Sequence, residues 1–275
     1  MIEYLILTLI IFIIFYSYYK NKHAVFFIVI TNIIIFSIEL YYIYSGFNIY
    51  EILGYSTMNI ISIQLITGIF THYDFIHILS NMVVLLFIGF PFEMRVGTRK
   101  FIIIYLVTGI IAELIYALFH FNMNYILLGA SGSIFGIMGA YLRLYPNDEI
   151  SMFLGFIFFP KIKVKYAVFF AAIIEFLAML LSYEDNVAHL VHISAFVIGL
   201  LIAPLFLKSR VKEFSISDLE TIATNQKSKD LLQKIKDEKI EMVKKILIEE
   251  FLKESCKNYK KKGNIVECDG RKFRL

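Results

Sequence analysis

Seven long apolar segments constrain what this chain can fold into. A helix needs about 20 residues to cross the ~30 Å hydrocarbon core of a bilayer, and each segment approaches that length. They cover residues 2–19, 24–44, 75–92, 101–119, 128–145, 166–182 and 188–207. Only 18% of the 275 residues are charged, against about 25% in soluble domains, and the mean hydropathy is +0.70. The sequence therefore predicts an all-α protein that crosses a membrane seven times.

Charges between the segments predict the orientation. Basic residues follow the first, third, fifth and seventh segments: Lys20, Lys22, Arg95, Arg99, Lys100, Lys161, Lys163, Lys165, Lys208, Arg210 and Lys212. Because cytoplasmic loops carry an excess of Lys and Arg, the N-terminus is predicted outside and the C-terminal tail in the cytoplasm. The first segment lacks a preceding basic region and a small-residue cleavage site, so we interpret it as a retained helix and not as a signal peptide.

The segment 45–74 is moderately apolar but is broken by Gly46, Gly54 and polar residues. We predict that it lies in the outer leaflet without crossing the membrane. An alternative topology has one further span at residues 60–70, which is short for that purpose.

The tail, residues 208–275, is rich in Lys and Glu. Apolar residues recur there every three to five positions, which predicts an amphipathic helix or a helix pair; they are Leu231, Ile235, Ile240, Val243, Leu247 and Phe251. The two cysteines, Cys256 and Cys268, also lie in the tail, so the spanning region has no disulfide framework. A structural zinc site usually has four ligands, so a metal site on these two is disfavoured.

Ser131 is a candidate nucleophile within the apolar segments. The sequence contains no His-Glu-x-x-His motif for zinc and no aspartate pair within the apolar segments. Ser131 stands between Gly129 and Gly132 at a predicted helix start, where free backbone N–H groups can stabilise an oxyanion and the glycines leave room for a substrate. The alternative is a small-residue seam for helix packing that includes Ser131. Its other members would be Gly129, Gly132, Gly136 and Gly139.

His192 favours the catalytic interpretation. A histidine deep in an apolar segment needs a polar partner, and its usual pKa of about 6.5 suits a general base. Ala195 and Gly199 share one face of the predicted helix and offer a small surface toward the glycines of the fifth segment. His189 is the rival base, which we interpret as a supporting polar residue. A working pair requires the Ser131 hydroxyl to lie about 2.6–3.2 Å from an imidazole nitrogen of His192, in a cavity that reaches the outer surface.

Four motifs follow one another along the chain. They are Phe70-Thr71-His72-Tyr73-Asp74-Phe75-Ile76-His77-Ile78-Leu79-Ser80-Asn81-Met82, then Glu93-Met94-Arg95-Val96-Gly97, then Gly129-Ala130-Ser131-Gly132, and finally His192 with Gly199 seven residues later. In residues, order and spacing, this set resembles the rhomboid family of intramembrane serine proteases over roughly residues 24–207.

The resemblance implies a six-helix rhomboid-like core at 24–207, an additional N-terminal transmembrane helix at 1–23, and a helical cytoplasmic tail at 208–275. Ser131 would be the nucleophile and His192 the general base of a dyad without an acid. His77 and Asn81 would join the Ser131 amide as oxyanion donors, beside Gly129. Supporting roles would fall to His72 at the membrane-lying loop, to Glu93 and Arg95 at the cytoplasmic turn after the third helix, and to Gly132, Gly136 and Gly199.

Two positions depart from the family's pattern. Ile63-Gln64 stands where many members have a Trp-Arg pair, which places the anchoring of the loop in question. Ser194-Ala195 stands where a glycine pair commonly follows the base, which adds bulk between the serine and histidine helices. Neither departure removes a catalytic group, so activity is expected.

Two other functions remain open. Glu39, Glu113 and Glu175 lie within apolar segments and would suit a channel or transporter, although interhelical hydrogen bonding is the preferred interpretation. A rhomboid-like pseudoenzyme that binds membrane clients is the other alternative. The sequence favours a serine protease that cuts single-span or multi-span membrane proteins within the lipid bilayer near their outer ends, without a metal, a cofactor or nucleic acid.

Overall fold

A computed structural model describes residues 2–154, 157–181, 188–206, 212–213, 216–223, 225–238, 241–262, 265–269 and 271–274. The chain forms two compact units, Met1–Phe206 and Leu207–Leu275. Some side chains used above lie outside the described part: Lys208, Arg210, Lys212, Ile240 and Val243.

The first unit is built mainly from helices. They are α1 (Ile2–Lys20), α2 (Ala24–Tyr44), α3 (Tyr50–Leu53), α4 (Gln64–Thr67), α5 (Phe75–Val84), α6 (Phe90–Val96), α7 (Thr98–Phe119), α8 (Ser131–Leu144), α9 (Val164–Leu181) and α10 (His189–Ile202). A π-helical turn, Leu85–Gly89, joins α5 to α6, and a 3₁₀ turn, Ala203–Phe206, extends α10.

Five helical stretches of the described chain are long and apolar enough to cross a membrane. They are Ile2–Lys20, Ala24–Tyr44, Phe75–Val96, Thr98–Phe119 and His189–Phe206. The prediction of a mostly helical, multi-pass membrane protein is therefore confirmed. The other two predicted spans correspond to α8, with 14 residues, and α9, with 18.

Helix α8 is shorter than a complete membrane crossing. Its 14 residues rise about 21 Å, against ~30 Å for the hydrocarbon core. The preceding residues are extended: strand β2 (Ile126–Leu127) pairs antiparallel with β1 (Tyr55–Ser56) of the segment 45–74. Helix α8 therefore starts shortly after a two-stranded sheet.

The segment 45–74 contains only short elements: α3, β1, α4 and a 3₁₀ turn at Gly68–Phe70. None of these is long enough to cross a membrane, in agreement with the predicted topology. Gln64 anchors the segment, because its Nε2 donates to the carbonyl oxygens of Glu51 and Ile52, at 3.1 Å each. This part of the loop is therefore anchored although Ile63-Gln64 departs from the family's pattern.

Between α8 and α9 the chain forms an antiparallel pair, β3 (Glu149–Leu154) and β4 (Ile157–Lys163), with Ile150 opposite Ile162. The sequence analysis did not predict this pair. Ile150 and Met152 are buried against the helical core.

Helices α8 and α10 approach each other closely enough for their backbones to touch. A Cβ atom at Gly199 would lie 2.0 Å from the carbonyl oxygen of Gly136, and one at Gly139 would lie 2.1 Å from that of Phe196. Ala195 is fully buried near this contact. The extra bulk of Ser194-Ala195 therefore does not prevent close packing, which occurs one turn further along at Gly199.

The second unit mixes helices and strands, whereas the sequence analysis predicted only helices there. Its helices are α11 (Ile216–Ile222), α12 (Gln226–Asp237) and α13 (Glu241–Ser255), and its strands are β5 (Lys212–Glu213), β6 (Tyr259–Lys262), β7 (Ile265–Cys268) and β8 (Arg271–Arg274). The strands form one sheet in the order β5-β8-β7-β6. Leu231, Ile235 and Phe251 are buried, as their periodicity indicated. A disulfide joins Cys256 to Cys268, so the two cysteines bind each other.

Candidate active site

Ser131 is the first residue of α8, which places it at the end of a helix whose first backbone N–H groups have no partner within the helix. Its Oγ lies 2.6 Å from Nε2 of His192, a residue 61 positions away on α10. This is the separation of a hydrogen bond in which the hydroxyl donates to an unprotonated imidazole nitrogen. The geometry therefore joins a potential nucleophile to a potential base.

The ring of His192 is held from the side by Phe135 of α8. The two rings are stacked, with centroids 4.7 Å apart and an angle of 11° between their planes. Phe135 lies one helical turn after Ser131, so both residues face α10 from the same side of α8. The sequence analysis missed Phe135, although its spacing from Ser131 was a usable signal.

His77 and Asn81 lie one turn apart on α5 and approach Ser131 through Gly129. A Cβ atom at Gly129 would lie 2.6 Å from Nε2 of His77 and 3.6 Å from Nδ2 of Asn81. Gly129 has a φ of +113°, a conformation that L side chains rarely adopt. Nδ2 of Asn81 is buried and has no hydrogen-bond partner in the described part of the chain. Such a donor is available to an oxygen atom that enters the site.

These groups share a cavity of about 920 Å³. Ser131, His192, His77 and Asn81 all line it, and its rim includes the exposed residues Asn48, Tyr73 and Asp74. The rim residues belong to segment 45–74, which the charge pattern places on the outer side. The cavity therefore reaches the surface beside segment 45–74.

Comparison with known proteins identifies the family of this chain. Residues 62–209 match the family model described as the Rhomboid domain. This range contains Ser131, His192, His77 and Asn81. The chain belongs to the rhomboid family.

Several curated rhomboid proteins are similar to this chain. RHOMBOID-like protein 1 of Arabidopsis thaliana is 32% identical over 145 residues, which cover 52% of this chain and 34% of the relative. RHOMBOID-like protein 6, mitochondrial, of the same plant is 31% identical over 128 residues, 46% of this chain and 39% of the relative. The putative rhomboid protease YdcA of Bacillus subtilis (strain 168) is 35% identical over 89 residues, 32% of this chain and 44% of the relative. The matches thus span less than half of these relatives.

Within the rhomboid domain, His72 braces the residues before the serine. It is completely buried, its backbone N–H donates to Glu39 at 3.2 Å, and its Nε2 accepts from the N–H of Ala130 at 3.5 Å. Burial lowers the pKa of His72 to about 3, so its ring is neutral at pH 7 and can accept that bond. Its ring also packs edge to face on His77, with centroids 5.0 Å apart.

Glu93 and Arg95 lie on α6 but stabilise different contacts. Glu93 accepts from the N–H groups of Ala24 and Val25, at 2.6 and 3.0 Å, and from the hydroxyl of Thr98. It thereby caps the start of α2. Arg95 instead pairs with Asp148 at 2.9 Å, after α8. The two residues were expected to hold one turn after the third helix together. Instead, Glu93 stabilises the start of α2 and Arg95 contacts the segment after α8.

The three supporting glycines lie at helix contacts of the rhomboid domain. A Cβ atom at Gly132 would lie 2.9 Å from Cγ1 of Val191. A Cβ atom at Gly136 would lie 1.9 Å from Oγ1 of Thr108 on α7. Gly199 contacts Gly136 as described above. The glycine seam and the Ser–His pair therefore coexist, and the seam brings the pair together.

A carboxylate also reaches the histidine, contrary to the expectation of a dyad without an acid. Oε1 of Glu175, on α9, lies 2.6 Å from Nδ1 of His192 and 2.5 Å from Nδ1 of His189. The sequence analysis interpreted Glu175 as an interhelical hydrogen-bonding residue, without a partner. Its position within an apolar segment was the available signal, but the sequence did not indicate which helix it faces.

Proposed function

We propose that this rhomboid protein is an intramembrane serine endopeptidase in which Ser131 is the nucleophile and His192 the general base. The observation that carries the proposal is the 2.6 Å contact between Ser131 Oγ and His192 Nε2. It lies in a cavity that also holds His77 and the unpartnered amide of Asn81. A packing seam alone would not require this set of polar groups.

In the first half-reaction, Ser131 Oγ attacks the carbonyl carbon of the peptide bond while its proton passes to Nε2 of His192. The carbonyl π electrons move to oxygen. The resulting oxyanion would accept hydrogen bonds from His77, Asn81 and the backbone at the start of α8. When the intermediate collapses, the C–N bond breaks, the imidazolium proton goes to the leaving amine, and an acyl-enzyme remains.

The second half-reaction requires water at the same place. His192 takes a proton from the water, the hydroxide adds to the acyl carbon, and the Ser131 oxygen leaves with the proton from Nε2. The exposed rim residues Asn48 and Asp74 offer polar contacts for water that enters the cavity. The departure of the Ser131 oxygen restores the enzyme and releases the new carboxylate.

The proposed substrates are single-span or multi-span membrane proteins, cut near the outer face of the bilayer. The cavity rim includes residues of segment 45–74, and the charge pattern predicts that this segment lies outside and the tail in the cytoplasm. Residues 1–23 would form an additional helix before the core at 24–207, with the tail at 208–275.

The proposal is tested with purified protein, a fluorogenic single-span substrate and a serine-directed phosphonate. Ser131→Ala and His192→Ala should each lower kcat by at least about 10³-fold, because members of a catalytic unit act together. Ser37→Ala on α2 and His23→Ala, immediately before α2, are matched controls and should cleave normally. The phosphonate should label the native protein and not Ser131→Ala.

Three outcomes would contradict this assignment. Native-like cleavage by Ser131→Ala would exclude Ser131 as nucleophile. An inactive His189→Ala beside an active His192→Ala would identify the other histidine as base. A folded native protein that binds membrane clients but neither cleaves them nor reacts with the phosphonate would be a pseudoenzyme.

A further inference from the structure

Glu175 lies behind the proposed base, on the side opposite the serine. Ser131 contacts Nε2 of His192 at 2.6 Å, and Glu175 contacts Nδ1 of the same ring at 2.6 Å. The imidazole is therefore bonded at both nitrogens, by residues of α8 and α9. The side chains of Glu175 and His192 are only 13% and 11% exposed, so water competes weakly for these bonds.

We propose that Glu175 is a positioning residue that makes His192 a competent base, a role that rests on the proposed serine protease function. An ionised carboxylate only accepts hydrogen bonds. Contact with Glu175 therefore keeps a proton on Nδ1 of His192 and leaves Nε2 free to accept the proton of Ser131. Without this bond, the ring could hold its proton on Nε2 and could not act as the base.

The charge of Glu175 matters as soon as the serine proton moves. His192 then becomes an imidazolium, and an anion at hydrogen-bond distance in a low-dielectric interior stabilises that cation. The other titratable groups around His192 are His77 from α5, Glu113 from α7, and His189 on its own helix. In the part of the chain that the structure describes, Glu175 is the carboxylate at hydrogen-bond distance from the ring.

His189 holds the carboxylate in place. Its Nδ1 bonds to the same oxygen of Glu175 at 2.5 Å, so that Oε1 receives two N–H donors from consecutive turns of α10. Two donors stabilise the ionised form of the carboxylate and restrict its rotation. His189 would thus contribute through Glu175, not as an alternative base.

The same three side chains offer ligand atoms that a metal ion could bind, all within 4.8 Å of one another. Their geometry fits hydrogen bonds better. Donor atoms around a tetrahedral zinc ion, at bonds of about 2.1 Å, lie about 3.4 Å apart. The carboxylate oxygen lies 2.5 and 2.6 Å from its two imidazole nitrogens, which is closer to a hydrogen-bond separation than to the spacing of two ligands on one metal ion.

The test compares Glu175→Asp, Glu175→Gln and Glu175→Ala in the full chain, with Glu149→Gln as the matched control, because Glu149 is exposed on strand β3. Thermal unfolding in the same detergent establishes that each variant is folded. We measure kcat, KM and the pH profile of kcat/KM with the single-span substrate, with and without a chelator. Phosphonate labelling reports Ser131 reactivity independently of substrate binding.

A positioning role predicts activity in the order native, Asp, Gln, Ala, because Asp keeps the charge and Gln keeps the shape. Glu175→Gln should lower kcat by about tenfold to 10⁴-fold, with KM little changed. The upper limit is the roughly 10⁴-fold loss seen when the acid of a Ser-His-Asp triad becomes an amide. The acid limb of the Glu175→Gln pH profile should differ from that of the native protein, because the anion that faces the imidazolium is lost. Glu149→Gln should match the native protein.

Other results would overturn the inference while leaving the serine protease intact. If Glu175→Gln cleaves the substrate and reacts with the phosphonate like the native protein, Glu175 only packs α9 against α10. The same conclusion follows if Glu175→Gln is more active than Glu175→Asp and the acid limb of its pH profile is unchanged. Loss of native activity on addition of the chelator would identify a metal site instead. If the native protein itself neither cleaves nor labels, the proposed function fails first.

Discussion

At the scale of single residues, Gly129 is constrained by its backbone conformation and by the side chain of His77. It adopts a φ of +113°, its N–H donates to the carbonyl of Gly68 at 2.9 Å, and His77 lies where its Cβ would be. A side chain here would displace a proposed oxyanion donor as well as strain the backbone. The two effects can be separated, because Gly46 has a similar φ of +82° and nothing within 4 Å.

We expect Gly129→Ala to lower kcat by about 10²-fold, which is the typical loss when one oxyanion donor is removed. Gly46→Ala should leave kcat unchanged, while both variants lose about 1–2 kcal/mol of stability from the strained φ. Steady-state kinetics and thermal unfolding in detergent provide the measurements. Equal kcat values for the two variants would show that His77 does not need the space at Gly129.

At the scale of elements, the contact of α8 with α10 sets the position of the site. Gly199 lies about two turns after His192, and its backbone meets that of Gly136, which lies more than one turn after Ser131. The serine and histidine are thus held at one end of a pair of helices that touch in the middle. Any side chain at the contact must separate the helices, since a backbone carbonyl cannot rotate away.

Gly199→Ala should therefore destabilise the protein by about 1–3 kcal/mol, the usual effect of overpacking, and slow phosphonate labelling of Ser131. Val197→Leu is the control on the same helix, because Val197 is exposed by 45% and a larger apolar side chain fits there. Thermal unfolding and labelling rates are measured in one detergent. A native-like Gly199→Ala would mean that the site tolerates a wider helix separation.

At the scale of the whole molecule, the two units raise a question of compartment. The positive-inside rule places the tail in the cytoplasm, whereas disulfides such as Cys256–Cys268 are rare there because thiols are kept reduced. The two statements agree if the pair remains as free thiols in the cell and closes only on oxidation. The chain has just these two cysteines, so their labelling reports the side of the membrane directly.

A membrane-impermeant maleimide should label Cys256 and Cys268 only after intact cells are permeabilised, and without added reductant. As the control, Ser45→Cys in a background carrying Cys256→Ser and Cys268→Ser should be labelled in intact cells, because exposed Ser45 begins the outer segment. Labelling of the native cysteines in intact cells would reverse the proposed orientation. A requirement for reductant after permeabilisation would place the tail in an oxidising compartment.

The sequence by itself determined the membrane class, the approximate helices and the order of the polar groups. Length and hydropathy decide whether a segment can cross a bilayer. The resemblance of the ordered motifs to the rhomboid family implied that Ser131, His192, His77 and Asn81 share one site. The tertiary structure alone decided what each side chain faces. Glu175 and His192 are 17 residues apart on different helices, so their contact depends on the rotation of α9 and α10 about their axes. Likewise, the β1–β2 pair joins residues about seventy positions apart. The strands of the tail were not recognised in a sequence rich in Lys and Glu. Such long-range contacts follow from packing, which local periodicity does not encode.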